Sequence, residues 1–200
     1  MKTAMATTPT SSPLPDEIRR ILDDLEANER RAETLVSDLD HEALNWRPDD
    51  RSWSTAQCLD HLNVSNRDYL EALQPTIEEA RRRGRKRRGP VRPGWFERWF
   101  VAFLEPPPKR KVSAPKKIVP AFEGEKAPLL AEFHRLHAEI AKLLVESADL
   151  DLGVRFPNPF FPLVRFRVWT GFLVVPTHER RHLWQAEQLR KNPGFPSSRP

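Results

Sequence analysis

His178 and His182 stand four residues apart in Pro176-Thr177-His178-Glu179-Arg180-Arg181-His182-Leu183-Trp184-Gln185. On a helix that spacing is about one turn, so both imidazoles leave one face and can grip one ion. A third ligand has to come from another element laid against that face, so the pair calls for helix packed on helix. The best placed partner is His61, in Trp53-Ser54-Thr55-Ala56-Gln57-Cys58-Leu59-Asp60-His61-Leu62, near the start of a second strong helical pattern.

Four long helical patterns are present. Pro15-Asp16-Glu17 is a helix start, and apolar residues then recur at Ile18, Ile21, Leu22, Leu25, Ala32, Leu35, Val36 and Leu39. Turn chemistry follows from Asn45 to Ser52. Ser54-Thr55-Ala56-Gln57 reads as a capping box that opens the second helix, with Ala56, Leu59, Leu62, Tyr69, Leu70, Leu73 and Ile77 on its apolar face. His61 lies at the edge of that face. The third helix, from about Lys126, carries Leu129, Leu130, Phe133, Leu136, Ile140, Leu143 and Leu144. Residues 156–162 read as a turn, and the fourth helix is expected from near Leu163, with Pro176 kinking it or restarting it at Thr177.

Between the second and third helices lies a long crossover, residues 81–120. It begins with a like-charged block from Arg81 to Arg88, carries the aromatic helix Trp95 to Leu104, meets Pro106-Pro107-Pro108, and continues as a basic, proline-rich strap. The expected fold is therefore all-α, a four-helix bundle over residues 14–191 with its site in the core. A disordered lead-in, 1–13, and a flexible tail, 192–200, flank it. Two hundred residues suit one domain of this kind.

Lys plus Arg exceed Asp plus Glu by 33 to 28, for a net charge of +5, and eight of the cations fall between Arg81 and Arg92. With Trp95 and Trp99 beside them, they suit nucleic acid or an anionic surface, so a binding module with a structural metal site is the alternative to an enzyme. Trp95 to Leu104 also offers apolar area for a homodimer contact. The single cysteine, Cys58, excludes an intramolecular disulfide and reads as a small core residue. The N-terminus lacks the apolar core of a signal peptide and no apolar run is long enough to span a bilayer, so a soluble cytoplasmic protein is expected.

His178-Glu179-Arg180-Arg181-His182 also satisfies the pattern of zinc proteases, in which the glutamate is the base. That reading fails downstream, because the metzincin positions hold Gln185 and Gln188 and no histidine or acid follows Glu187. Glu179 to His182 matches half of a di-iron carboxylate site, but the second half is missing, since Ala131 stands three before His134. His134 and His137 are themselves three apart and able to bind metal, yet read as surface or bundle-edge residues, and His41 reads as bland. Glu179, about 100° around the helix from His178, is expected in a surface ion pair.

Trp53-Ser54 with Gln57 and His61, the crossover Leu104-Glu105-Pro106-Pro107, and His178 to Gln185 lie in order on separate elements and span nearly the whole folded chain. In this the chain resembles the DinB-like superfamily of four-helix, metal-dependent proteins of the DinB/YfiT type. The resemblance implies one divalent metal held by three histidines, mapping onto His61, His178 and His182. It includes thiol-dependent S-transferases, isomerases and hydrolases, so a low-molecular-weight thiol cosubstrate and a small electrophilic substrate are expected. Departures from the pattern are the polyarginine stretch and Pro176. Three neutral imidazoles suit Zn, Ni or Fe and leave open positions, the arrangement of a catalytic site. Gln57 and Gln185 fall on the ligand faces, where each is placed to orient an imidazole or a bound water; Gln57 is also a candidate for the cap alone.

Overall fold

A computed structural model describes residues 13–108, 120, 123–161 and 163–196. The expected lead-in up to Ser12, the strap over residues 109–119 and the last four residues of the tail lie outside the described residues.

In chain order the elements are α1 (Asp16–Val36), α2 (His41–Asn45), α3 (Thr55–Arg82), α4 (Trp95–Leu104), α5 (Lys126–Glu146), β1 (Arg155–Pro157), β2 (Arg165–Arg167) and α6 (Val168–Arg190). The four long helices α1, α3, α5 and α6 form the bundle, with α1 and α3 each packed between α5 and α6. The first halves of α1 and α6 share one apolar cluster with the second halves of α3 and α5. The opposite halves share the other. Hence α1 runs parallel to α6, and α3 runs parallel to α5. Parallel neighbours in sequence need a return connection as long as the bundle, which is why residues 83–125 separate α3 from α5.

Local chemistry sets the boundaries. The Ser54 hydroxyl accepts from Gln57 N, and Gln57 Oε1 accepts from Ser54 N at 3.0 Å, so the capping box holds and Gln57 is engaged in it. Asp40 caps the short α2 by accepting from Ala43 N at 2.8 Å, a separate helix that the sequence pattern does not set apart between the first helix and the turn. Helix α3 runs on into the basic stretch as far as Arg82 before Gly84 turns the chain at φ 61°. That stretch is then tied down: Arg87 N donates to Asp149 O and Asp151 N to Arg85 O.

Two expectations near α6 need correction. Residues 155–157 and 165–167 pair as an antiparallel hairpin, Phe156 opposite Phe166, and the helix starts at Val168 rather than near Leu163. Burial is the reason: Phe156 and Phe166 point into the core while their arginine neighbours face outward, the alternation of a strand. Gly171 lets this hairpin close on α6, since a Cβ there would stand 2.7 Å from Leu73 Cδ2 and 2.9 Å from Phe156 Cζ. Of the two outcomes expected at Pro176, a kink or a restart, the restart does not occur, since α6 continues through the proline. It removes one backbone hydrogen bond, but Thr177 Oγ1 donates to Leu173 O at 2.7 Å and Asn28 Nδ2 to Pro176 O at 2.8 Å, so the surrounding turn is held.

Helix α4 lies on α6. Its anchor is the buried Glu97, which accepts from Gly94 N at 2.6 Å and Arg167 N at 2.7 Å and pairs with the Arg167 guanidinium. Burial works against the Glu97 charge, but these donors hold its carboxyl below the usual range. Trp95 and Trp99 stay exposed on the outer face. Among the described residues no helix is long and apolar enough to cross a membrane.

Candidate metal centre

His61 projects from the second turn of α3, whose start the capping box pins. His178 and His182 project from α6, which runs against α3. The three rings converge. His178 Nε2 lies 3.3 Å from His61 Nε2 and 3.1 Å from His182 Nε2. Among the described residues this is the one group of histidine, cysteine or acid ligand atoms all within 4.8 Å of one another. A tetrahedral ion with nitrogen ligands at about 2.0–2.1 Å sets those nitrogens about 3.3–3.4 Å apart, so the donor set fits such an ion nearly as it stands.

The surroundings keep the nitrogens available. His182 Nδ1 lies 3.0 Å from Gln185 Oε1. Gln185 Oε1 can only accept, so it holds the proton on Nδ1 and turns the Nε2 lone pair toward the centre. Burial first, and then the neighbouring imidazoles and Arg181, push the basicity of both His178 and His182 well below its ordinary value. Both are therefore neutral at physiological pH. Trp53 stacks on His182 at 5.6 Å and tilts over His61 at 4.8 Å, closing one side with an apolar ring. His178 is the most exposed of the three, so the open side is there.

Arg181 borders this site. Its guanidinium donates to Phe103 O at 3.3 Å and sits 5.8 Å from the centre of the Phe103 ring. Among the described residues it has no carboxylate partner, and burial lowers its basicity. Arg180 instead reaches Glu105, at 2.5 Å, and Asp24, which fastens the crossover to α6. Cys58 is buried in the apolar core with its thiol pushed up to about 12 by burial, the behaviour of a packing residue. Two surface depressions, of about 750 Å³ and 270 Å³, lie away from the histidines, and ion pairs such as Arg31–Glu187 and Arg67–Glu132 line them.

Glu179 overturns the expectation of a surface ion pair. It is fully buried. Its carboxylate accepts from Asn66 Nδ2 at 2.7 Å and Asn28 Nδ2 at 2.9 Å, and lies 2.9 Å from His137 Nε2. Each of the four long helices contributes one member of this clasp. His137, expected at the surface or bundle edge, is 3% exposed. Burial disfavours its charge, yet the Glu179 carboxylate beside it raises its proton affinity overall. The clasp forms a polar layer between the two apolar clusters of the core. The missed signal was a polar residue standing where an apolar one should: Asn28 falls between Leu25 and Ala32, and Asn66 between Leu62 and Tyr69.

Comparison with known proteins follows the same lines. The family model of the DinB superfamily matches residues 24–186. An uncharacterized protein of Bacillus subtilis (strain 168), YuaE, is 28% identical over 167 residues, spanning 82% of this chain and 94% of its own. Among solved structures, YfiT from Bacillus subtilis superimposes with a TM-score of 0.60 at 16% identity, covering 95% of both chains. YfiT is described as a probable metal-dependent hydrolase with an unusual four-helix bundle topology.

Proposed function

We propose that this chain, which belongs to the DinB superfamily, is a metal-dependent enzyme in which His61, His178 and His182 hold one divalent transition ion for attack on a small electrophilic molecule. The observation that carries the reading is the convergence of three Nε2 atoms, two of the spacings being 3.1 and 3.3 Å, with no carboxylate among them. An all-imidazole set leaves the ion's charge uncompensated, and such an ion acidifies a coordinated water or thiol toward neutral pH. The description of YfiT as a probable metal-dependent hydrolase supports water as the nucleophile. Wider membership of this superfamily keeps thiol transfer as the second chemistry to test.

The chain's own residues have definite parts in this scheme. Gln185 holds the proton on His182 Nδ1 and so fixes which nitrogen faces the ion. Trp53 covers two of the rings and keeps bulk water from that side. Arg181, a cation without a carboxylate partner among the described residues, favours a substrate that carries an anionic group. Glu179 is spent on the clasp and supplies no base to the centre. The basic stretch supports the binding-module alternative less well, because Arg82 and Arg83 meet Glu79, Lys86 meets Asp149 and Arg87 meets Glu17.

Elemental analysis of the purified protein, beside His61→Ala and His182→Ala, tests the ligand set. The wild type should retain a transition metal, and each variant should lose one equivalent. A screen pairing low-molecular-weight thiols with electrophiles, and esters and amides with water, should show turnover that a chelator abolishes and added metal restores. A metal content equal to that of the wild type in both variants would overturn the reading. Arg181→Gln should lower kcat/KM for an anionic substrate more than for its neutral analogue.

A further inference from the structure

A second cluster of ligand-type side chains lies across the bundle, where α1 packs on α5. Glu29 on α1 stands between two histidines of α5: its Oε1 is 3.7 Å from His134 Nε2, and its Oε2 is 3.9 Å from His137 Nδ1. Glu33, one turn along α1, brings Oε1 to 3.1 Å from His134 Nε2. Neither histidine nitrogen forms a hydrogen bond, although both atoms are shielded from solvent. A buried polar atom in that condition is costly, and native structures seldom leave one without a partner.

The clasp explains why His137 cannot solve this by itself. Its Nε2 faces the Glu179 carboxylate at 2.9 Å, which requires the proton on Nε2. In the neutral ring Nδ1 then carries a bare lone pair directed at a second carboxylate, an unfavourable pairing of two acceptors. Adding a proton to Nδ1 does not make a hydrogen bond either, because 3.9 Å is too long. A cation between the nitrogen and Glu29 removes both problems. The contacts of His134 Nε2 with Glu33 and Glu29, 3.1 and 3.7 Å, and of His137 Nδ1 with Glu29, 3.9 Å, lie near the spacing of about 3.3–3.5 Å expected between nitrogen and oxygen ligands of a tetrahedral ion. Because the four groups do not all stand within 4.8 Å of one another, the carboxylates have to turn inward to close the set. A histidine bonded through one nitrogen to a carboxylate and through the other to a metal is also the usual supporting arrangement of such ligands.

We propose that Glu29, Glu33, His134 and His137 form a second divalent-cation site, selective for a borderline ion such as Zn²⁺, that fastens α1 to α5. Two carboxylates and two neutral imidazoles balance a divalent charge, unlike the all-imidazole centre, so this ion is structural. The half-exposed Glu29 and Glu33 side chains rotate to complete the set, while His137 is held rigidly by Glu179. Through Glu179 the site steadies the turn of α6 that carries His178. It stands independently of the function proposed above.

Titration of metal-stripped protein with Zn²⁺, followed by calorimetry and by elemental analysis after gel filtration, tests the site. The wild type should take two equivalents. His182→Ala should keep the second and lose the first, and His134→Ala should do the reverse. His134→Ala leaves the core intact, since His134 is 37% exposed and outside the clasp. In the His182→Ala background, saturating Zn²⁺ should still raise Tm, and adding Glu29→Gln should abolish that rise. One equivalent in the wild type, unaffected by His134→Ala, would overturn the proposal, as would a second equivalent that survives His134→Ala and Glu29→Gln together.

Discussion

Replacing Glu179 by alanine removes the acceptor at the centre of the clasp. Asn66 Nδ2 loses a partner at 2.7 Å, Asn28 Nδ2 one at 2.9 Å and His137 Nε2 one at 2.9 Å, all inside a site that water does not reach. Asn28 keeps its bond to Pro176 O, so its loss is partial. Each orphaned donor costs about 1–3 kcal/mol, and breaking a buried charged pair typically costs about 3–5 kcal/mol in all. The expected destabilisation is therefore about 3–5 kcal/mol, or a fall in Tm of roughly 6–20 °C for a chain of this size. Glu179→Gln keeps the volume and one acceptor oxygen but gives up the charge facing His137, and should cost less. Urea unfolding of chelator-treated protein, followed by far-UV circular dichroism, measures this without any contribution from bound ions. A loss below about 1 kcal/mol for Glu179→Ala is what an exposed ion pair would produce, and would refute the buried clasp.

Three further outcomes are expected. Gln185→Leu removes the acceptor that orients His182 while leaving all three imidazoles, and should weaken metal binding by about 10–100-fold in competition with a chromophoric chelator. Gly171→Ala drives a methyl against Leu73 and Phe156, costing about 1–3 kcal/mol of overpacking, of which better helix propensity returns about 1 kcal/mol; a net gain in urea stability would contradict the close approach. The pH dependence of chelated protein should have two limbs of opposite sign. The folded pKa values of His178 and His182 lie below the unfolded value of 6.5, so their contribution is complete above about pH 6.5 and is lost as the pH falls toward the folded values. That of His137 lies above it, so its contribution is complete below about pH 6.5 and is lost as the pH rises through the folded value. Tm should accordingly pass through a maximum near neutrality, and His137→Asn should remove the alkaline limb alone.

Local rules were legible where one helix turn or one cap decided the outcome. The Ser54 and Gln57 side chains reach only their own first turn, so the start of α3 could be read directly from four residues. The pairing of His178 with His182 follows from helical spacing, and the fold class from four amphipathic stripes and a long crossover. The nomination of His61 rested on that defined helix start together with the family pattern. The hairpin over residues 155–167 was not legible because two three-residue strands joined by a proline-rich turn carry too little periodicity to distinguish them from the turn itself.

Glu179 shows what residue spacing could not decide. Sequence spacing located it about 100° from His178 around the helix, and it left open what stands on that side. Packing α6 between α1 and α3 places Asn28 and Asn66 there, and α5 brings His137. A carboxylate that would be solvated on an isolated helix becomes the centre of a buried polar layer. The same holds for Pro176, whose effect on α6 depended on whether a neighbouring helix could hold the surrounding turn. The sequence by itself determined which face of each helix is apolar and which residues share a turn, because both are properties of one helix. Which polar groups meet across helices was decided only by the tertiary structure, because burial and partner identity belong to pairs of elements far apart in the chain.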